Sequence, residues 1–231
     1  MPCVAGCHAA MFERAMLDIR ATLFDLDDTL VKTAKVKWAH HKAVAAHYGI
    51  ELTDETLARY WGMPFDHMIS HLYNHVDTVD NMRAANRALD PQFPKAIHDD
   101  TIEVLGKLAL HGIVAGVVTS TNTEFALADL RRLQVPDEAF LFVQGAEATP
   151  YHKPDGRVFD PALARLAELG IRRSDVLYVG DALMDHEAAV HAGIRFVGVA
   201  TGFVSIEQFQ AAGAPAIARL GELPAYVGLA A

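Results

Sequence analysis

Two aspartates that follow the first apolar run of the chain are the leading candidates for chemistry. The run Ile19–Phe24 leads into the sequence DLDDTL at positions 25–30. If the run is a β-strand, Asp25 and Asp27 leave its end on the same side, because side chains alternate along a strand. Carboxylates held that close repel each other unless a cation lies between them, and Mg²⁺ prefers such oxygen ligands. The pattern indicates a magnesium site, although solvated loops are also rich in aspartate.

Hydroxyl and ammonium groups that suit a phosphate follow later in the chain. Thr119 and Ser120 come directly after the apolar run Ile113–Val118. Hydroxyls at the start of a helix can bind a phosphate oxygen, although Ser and Thr are also ordinary helix N-caps. Lys153 lies in a later loop, where it would offset the charge of a phosphate or simply face water.

A second pair of acids follows the apolar run Val176–Val179. Gly180 permits a tight turn, and Asp181 and Asp185 are spaced so that both return to one face of a helix. These carboxylates would add oxygen ligands for a divalent ion. Acids in the first turn of a helix are also favourable without any metal, since they complement the helix dipole.

The elements that must position these groups alternate between strand-like and helical patterns. Strands are predicted for the five apolar runs Ile19–Phe24, Ile113–Val118, Phe140–Val143, Val176–Val179 and Phe196–Val199. Helices are predicted for Thr101–Leu110, Phe125–Leu133, Val158–Leu169 and Glu187–Ala192. This alternation predicts an α/β fold with a parallel sheet that is covered by helices on both faces. The carboxyl ends of such strands meet in one crevice, where all the polar groups above would converge.

The alternation is interrupted after the first strand. From Ala34 to about Lys95 the sequence has helical patterns only, at Val36–Tyr48, Asp54–Tyr60 and Pro64–Val76. We therefore expect a discontinuous catalytic core, residues 1–33 and 96–231, with a helical cap domain inserted at 34–95. Residues 1–18 precede the first strand and are expected to form a disordered tail.

Four motifs in this order resemble those of the haloacid dehalogenase superfamily. They are the sequence DLDDTL at positions 25–30, Thr119, Lys153-Pro154, and Gly180-Asp181 with Asp185. The likeness covers about residues 20–223 and is greatest to the phosphatase branch with a small helical cap, which includes phosphoglycolate phosphatase-like proteins and β-phosphoglucomutase. The resemblance implies a Rossmann-like core and an aspartyl-phosphate mechanism that depends on Mg²⁺.

The resemblance also implies roles for individual residues. Asp25 would be the nucleophile and a metal ligand. Asp27 would be the general acid and base, and its main-chain carbonyl would contact the metal. Thr119 and Lys153 would hold the phosphate, and the metal shell would be completed by Asp181 and by Asp185, the latter directly or through water.

The substrate remains open at this stage, apart from being a small phosphorylated metabolite. By resemblance, Thr33, Lys37 and Arg59 are candidate specificity residues of the cap. A sugar phosphomutase would share the core residues and differ in how the cap holds the sugar phosphate. A non-catalytic phosphate-binding regulatory module is the alternative from another class, but it predicts loss of Asp25 or Asp27, and both are present.

Composition narrows the classes of partner. The formal net charge is −9 and no Lys/Arg cluster occurs, which argues against nucleic-acid binding. No run of 18 apolar residues exists, so we expect no membrane span, and the first ten residues do not have the pattern of a secretory signal. The two cysteines, Cys3 and Cys7, cannot staple a domain, which favours the cytoplasm. Nothing in the sequence indicates an oligomeric state.

Overall fold

The computed structural model describes residues 19–61, 63 and 65–229. The expected N-terminal tail with Cys3 and Cys7 lies outside the described residues, as do Gly62 and Pro64. The chain divides into two compact units. Lys32–Ala96 forms one, here called the helical unit, and the residues before and after it form the other, here called the sheet unit.

A six-stranded parallel sheet forms the centre of the sheet unit. Its strands stand in the order β5-β4-β1-β6-β7-β8. Their bounds are β1 Ala21–Phe24, β4 Val114–Val118, β5 Val143–Gln144, β6 Val176–Gly180, β7 Arg195–Val199 and β8 Ala216–Ile217. The parallel α/β fold predicted from the sequence is confirmed. Because β1 lies between β4 and β6, the segments that follow these three strands emerge side by side.

The strands at the two edges of this sheet, β5 and β8, differ from what the sequence predicts. The third run, predicted as a strand over Phe140–Val143, is a strand only at Val143–Gln144. Phe140 and Phe142 are nevertheless buried, which explains the apolar pattern of this run without a regular ladder along its whole length. The last strand, β8, is short and follows a helix of only six residues, so neither element has a clear period in the sequence.

Helices cover both faces of the sheet and bury two apolar clusters. In the described residues of this unit they are α5 Thr101–Leu110, α6 Thr123–Arg132, α7 Asp160–Glu168, α8 Leu183–Ala192, α9 Ile206–Ala211 and α10 Leu223–Tyr226. One cluster centres on Phe24, Val117 and Val179, and the other on Leu23 and Tyr178. Neighbouring residues of β1 thus point to opposite faces, as expected for a strand buried on both sides.

The helical unit contains α1 Ala34–His47, α2 Asp54–Tyr60, α3 Phe65–Leu72 and α4 Val79–Leu89. The helical patterns found in this part of the sequence correspond to α1, α2 and α3 within a few residues. These helices bury a core of their own, which includes Val44, Leu57, Ile69, Tyr73 and Met82. Short strands at the two ends of the unit, β2 Val31–Lys32 and β3 Ala96–Ile97, pair with each other.

None of the helices in the described parts of the chain is both long and apolar enough to cross a membrane.

Candidate active site

Asp25 lies at the carboxyl end of the central strand. The main-chain N–H of Asp25 donates a 2.9 Å hydrogen bond to the carbonyl of Val179, so the end of β1 is tied to the end of β6. The chain then turns sharply, and Asp28 adopts a left-handed conformation with φ of 58°. Aspartate tolerates this region better than most residues. The turn leaves the Asp25 side chain about nine-tenths buried at the end of the sheet.

Lys153 links two of the predicted site residues that lie far apart in the sequence. Its Nζ is 2.6 Å from Asp25 Oδ1 and 2.7 Å from Asp185 Oδ1. The three side chains are 4%, 10% and 2% exposed for Lys153, Asp25 and Asp185 respectively. The Lys153–Pro154 peptide bond is cis. Charged groups buried to this degree are stable only when they are paired, so the lysine and the carboxylates depend on each other.

Asp185 is fixed by three donors. Besides Lys153, the hydroxyl of Tyr178 lies 3.2 Å from Asp185 Oδ1, and the main-chain N–H of Ala182 donates to Oδ2 at 3.1 Å. Gly180 is required here because a Cβ at that position would come within 2.5 Å of Asp185 Oδ2. The carboxylate is therefore held facing the end of the sheet, on the first turn of α8.

Asp181 approaches the main chain of a loop that follows β7. A Cβ added to Gly202 would lie only 2.0 Å from Asp181 Oδ2, so this loop needs a glycine where it packs against the carboxylate. Burial, together with the charges of Asp25 and Asp185, raises the pKa of Asp181 to about 9. Both burial and the neighbouring carboxylates therefore disfavour the ionised form of Asp181.

Asp25 is also buried among other acidic groups. Burial and the charges of Asp185 and Asp27 raise the pKa of Asp25 to about 7, although the contact with Lys153 opposes the change. Burial lowers the pKa of Lys153, but the carboxylates of Asp185 and Asp25 outweigh it and raise the pKa above its ordinary value. Two carboxylates thus contact one ammonium group, and the carboxyl group of Asp181 interacts electrostatically with all three, an arrangement that favours an additional cation.

A hydroxyl orients Asp27. Thr121 Oγ1 donates a 2.8 Å hydrogen bond to Asp27 Oδ2, and the main-chain N–H of Thr121 donates to Thr119 Oγ1 at 3.1 Å. Gly145 packs so closely against this loop that a Cβ there would lie 2.7 Å from the carbonyl oxygen of Thr121. The loop after β4 is therefore held by its neighbour, and it places a hydroxyl against the second aspartate of the first motif.

The two predicted phosphate-binding residues of this loop differ in exposure. Thr119 is buried, and its main-chain N–H donates to the carbonyl of Gln144 at 3.0 Å, across the β4–β5 edge. Ser120 is exposed to solvent. Both precede α6, so both lie near the N-terminus of a helix, where an anion is favoured.

A metal site built from three acidic or imidazole side chains is not present among the described residues. Mg²⁺ does not require such a cluster, because it commonly keeps several waters and binds one or two carboxylates. The donor chemistry fits: Asp25 and Asp181 are carboxyl groups whose pKa values are raised by burial and by the negative charge of neighbouring acids. Asp27 lies two positions after Asp25, and its main-chain carbonyl offers a further hard oxygen.

Comparison with protein families decides the classification. The profile described as haloacid dehalogenase-like hydrolase matches residues 22–199, more than half of the chain. The chain belongs to this family. All four motifs described above fall within the matched residues.

Two curated relatives of this haloacid dehalogenase-like hydrolase carry phosphatase names. It is 30% identical over 184 residues to a Clostridium perfringens protein named as pyrophosphatase PpaX, with 78% of this chain and 84% of that protein covered. It is 28% identical over 195 residues to phosphoglycolate phosphatase of Pectobacterium atrosepticum, with 80% and 82% covered. A solved Thermotoga maritima structure that carries the name β-phosphoglucomutase superposes with a TM-score of 0.76 at 24% identity, over 89% of this chain and 96% of that one, and shows the shared fold. The chain is thus an enzyme of the phosphatase type.

Within this hydrolase the candidate specificity residues have different surroundings. Lys37 forms an ion pair with Asp90 at 2.5 Å and lines a cavity of the helical unit. Thr33 is the buried N-cap position of α1. Arg59 is exposed and contacts Glu55 at 3.4 Å, one helical turn away.

Sequence reasoning missed the residues that orient the motifs of this hydrolase. Tyr178, Thr121 and Gly202 contact Asp185, Asp27 and Asp181 respectively. A tyrosine within the apolar strand β6 was a usable signal, since a buried hydroxyl needs a partner. Thr121 and Gly202 had no comparable signal, because threonine and glycine are common in loops.

Proposed function

We propose that this enzyme is a Mg²⁺-dependent phosphatase that hydrolyses a small phosphorylated metabolite through an aspartyl-phosphate on Asp25. The observation that supports it best is the buried ammonium of Lys153, 2.6 Å from Asp25 and 2.7 Å from Asp185. A carboxylate that must attack a phosphate needs its charge and that of the phosphate offset, and a lysine in contact with it contributes to both. We place the enzyme in the cytoplasm, in keeping with its cysteine usage.

Asp25, Asp181 and the main-chain carbonyl of Asp27 would hold the Mg²⁺ ion, and Asp185 would act through water. The last assignment is supported by the contacts of Asp185, whose oxygens already accept from Lys153, Tyr178 and Ala182. When bound, the ion would neutralise negative charge on the transferring phosphoryl group and on the surrounding carboxylates.

In the first step, a carboxylate oxygen of Asp25 attacks phosphorus, and the bond from phosphorus to the ester oxygen breaks. Asp27 in its protonated form gives its proton to that leaving oxygen, which departs as an alcohol. Thr121 orients the carboxyl group of Asp27 through its hydrogen bond. Lys153 and Thr119 would hold the phosphoryl oxygens while the new bond forms.

In the second step, Asp27 is a carboxylate and takes a proton from water. The oxygen of that water forms a bond to phosphorus, and the bond between phosphorus and Asp25 breaks, which releases inorganic phosphate and restores Asp25. Dividing one displacement into two lowers the barrier of each. The same aspartate serves as acid and then as base, so the cycle returns it to its starting state.

Phosphate release from p-nitrophenyl phosphate with Mg²⁺ tests the proposal. Asp25→Asn keeps the shape of the side chain but removes the nucleophile, so kcat should fall about 1,000-fold or more. Asp129→Asn is the matched control, because Asp129 lies near the far end of α6 and pairs with Arg132 at 3.1 Å. Equal activity of Asp25→Asn and the wild type would refute the assignment of the nucleophile.

A further inference from the structure

Three histidines of the helical unit recur at intervals of four residues, and the proposed phosphatase function does not use them. They are His67, His71 and His75. His67 and His71 lie one turn apart on α3, and His75 follows the end of that helix. Side chains at i and i+4 lie on the same face of a helix, with their Cβ atoms about 5–6 Å apart. Two imidazoles at this spacing can bind one metal ion.

The rings of the first two histidines are in contact. The ring centroids of His67 and His71 are 4.2 Å apart, and the ring planes differ by 34°. Imidazole nitrogens bind zinc at about 2.0–2.1 Å, so two nitrogens on one ion lie about 3–4 Å apart. Rings that already lie this close can reach that separation through small rotations of their side chains. His67 is exposed and His71 is half-buried, so an ion can approach the pair from solvent.

A hydrogen bond within the helix determines which nitrogen of His71 can bind an ion. His71 Nδ1 lies 2.8 Å from the main-chain carbonyl oxygen of His67. Because a carbonyl can only accept, Nδ1 carries the proton, and Nε2 of the neutral ring has the free lone pair. Metal-binding histidines usually donate their other nitrogen in this way, since the contact fixes the tautomer and the direction of the ring. The ring of Tyr60 also packs against His71, with centroids 4.7 Å apart.

The third histidine is adjacent to the pair but does not belong to it. The ring centroid of His75 is 5.0 Å from that of His71, and the ring planes differ by 67°. His75 lies beyond the end of α3, where a left-handed conformation with φ of 52° turns the chain away from the helical path. A group of three acidic or imidazole ligands does not occur in the described parts of the chain, so the candidate site consists of two imidazoles.

The acid next to this pair is already engaged. Asp66 Oδ1 accepts from Arg83 Nε at 2.7 Å, and Asp66 Oδ2 accepts from the same guanidinium group at 2.5 Å. The donors that remain are neutral nitrogens. Mg²⁺ prefers oxygen ligands, whereas imidazole suits Zn²⁺, Ni²⁺ and Cu²⁺. The pair should therefore select a different class of ion from the carboxylates at the end of the sheet.

We propose that His67 and His71 bind one divalent transition-metal ion of the class of Zn²⁺, Ni²⁺ and Cu²⁺. Nε2 of His71 and a ring nitrogen of His67 are the protein ligands, and water occupies the remaining positions. Cu²⁺ should bind most tightly of the three, because affinity at nitrogen sites rises from Ni²⁺ to Cu²⁺ and falls again at Zn²⁺. The inference is independent of the proposed phosphatase function.

His111 provides a matched control for the local chemistry. Its Nδ1 lies 2.9 Å from the main-chain carbonyl oxygen of Lys107, four positions earlier. The tautomer of His111 is therefore set as in His71, and the residue is exposed. The side chain one turn earlier is a lysine, so His111 has no second imidazole at that position. Removing this single imidazole should not affect the proposed site.

The test is a calorimetric titration of the full-length protein with Ni²⁺ in saturating Mg²⁺, which occupies carboxylate sites. Cys3→Ser with Cys7→Ser removes the only two thiols of the sequence and gives the parent protein. In this parent, His67→Ala and His71→Ala should each weaken Ni²⁺ binding at least about tenfold. His75→Ala and His111→Ala should leave it within about twofold. Absence of saturable binding to the parent, or an equal loss in all four variants, would overturn the proposal.

Two further measurements separate ligation from a general effect on folding. Without metal, His71→Ala and His111→Ala should unfold at the same urea concentration as the parent, and Ni²⁺ should stabilise the parent and His111→Ala but not His71→Ala. Electron paramagnetic resonance of the Cu²⁺-loaded protein should show two imidazole nitrogens in the parent and one in His67→Ala. A single imidazole nitrogen in the parent would contradict the pair.

Discussion

At the scale of single residues, the acid and base chemistry that we propose for Asp27 would depend on a hydroxyl from the loop of the second motif. Thr121 follows the predicted phosphate-binding residue Thr119 by two positions, yet its hydroxyl donates to Asp27. A carboxyl group that must first give and then take a proton works only in the correct orientation. The hydrogen bond between Thr121 and Asp27, which lie 94 positions apart, therefore connects the loops of the first and second motifs.

We expect Thr121→Val, which removes the hydroxyl and keeps the shape, to lower kcat for p-nitrophenyl phosphate about tenfold. That factor corresponds to the loss of one hydrogen bond to an ionisable group. Steady-state kinetics in the presence of saturating Mg²⁺ measure it. Thr121→Ser restores the hydroxyl and should restore most of kcat, and failure of this rescue would show that the methyl group matters instead.

At the scale of elements, glycines decide how closely loops approach the acids. Gly202 lies in the loop between β7 and α9, and a Cβ there would lie 2.0 Å from Asp181 Oδ2. We expect Gly202→Ala to displace the Asp181 carboxylate and to raise the Mg²⁺ concentration for half-maximal activity by about tenfold or more. Activity measured against Mg²⁺ concentration tests this. An unchanged Mg²⁺ dependence would argue against Asp181 as a ligand.

Gly106 is the position of a control substitution for Gly202→Ala, because it lies in a regular helix. It lies in α5, is exposed, and a Cβ added there meets nothing within 4 Å. Gly106→Ala should raise the free energy of unfolding by about 0.5–1 kcal/mol, because alanine loses less backbone entropy in a helix. Urea unfolding measures the gain. The Mg²⁺ dependence of activity should stay that of the wild type, in contrast to Gly202→Ala.

At the scale of the whole molecule, the surplus of buried negative charge makes stability depend on pH. The pKa of Asp25 rises from 3.8 to about 7 on folding, so the folded protein binds a proton that the unfolded chain releases between these values. Stability from this group is therefore lost as the pH rises from about 4 to about 7. Without metal, wild type and Asp25→Asn should be equally stable near pH 4. At pH 8 the variant should be the more stable, by at least about 1 kcal/mol.

Thermal unfolding in a chelator at several pH values measures this difference. Mg²⁺ should stabilise the wild type more than Asp25→Asn at pH 8, since the ion favours the ionised carboxylates. Parallel pH profiles of the two proteins in the chelator would contradict the raised pKa of Asp25.

Most of the sheet unit was predictable because its strands are buried on both faces. Such strands read as continuous apolar runs, and the predicted positions of β1, β4, β6 and β7 agree with the structure within a few residues. Short edge strands such as β5 and β8 have too few residues to show a recognisable pattern of apolar and polar side chains. The candidate site residues could be located in the sequence for the same reason, since each of them comes after a predicted strand.

The sequence alone determined the parallel α/β class and the side of the sheet to which Asp25, Thr119 and Asp181 belong, because parallel strands bring their carboxyl ends together. Only the tertiary structure decided which groups make contact. Lys153 meets Asp25 across 128 residues, and a cavity of the helical unit is lined by residues from several helices. Such contacts depend on strand register and side-chain packing over long separations, which local patterns of polarity do not record.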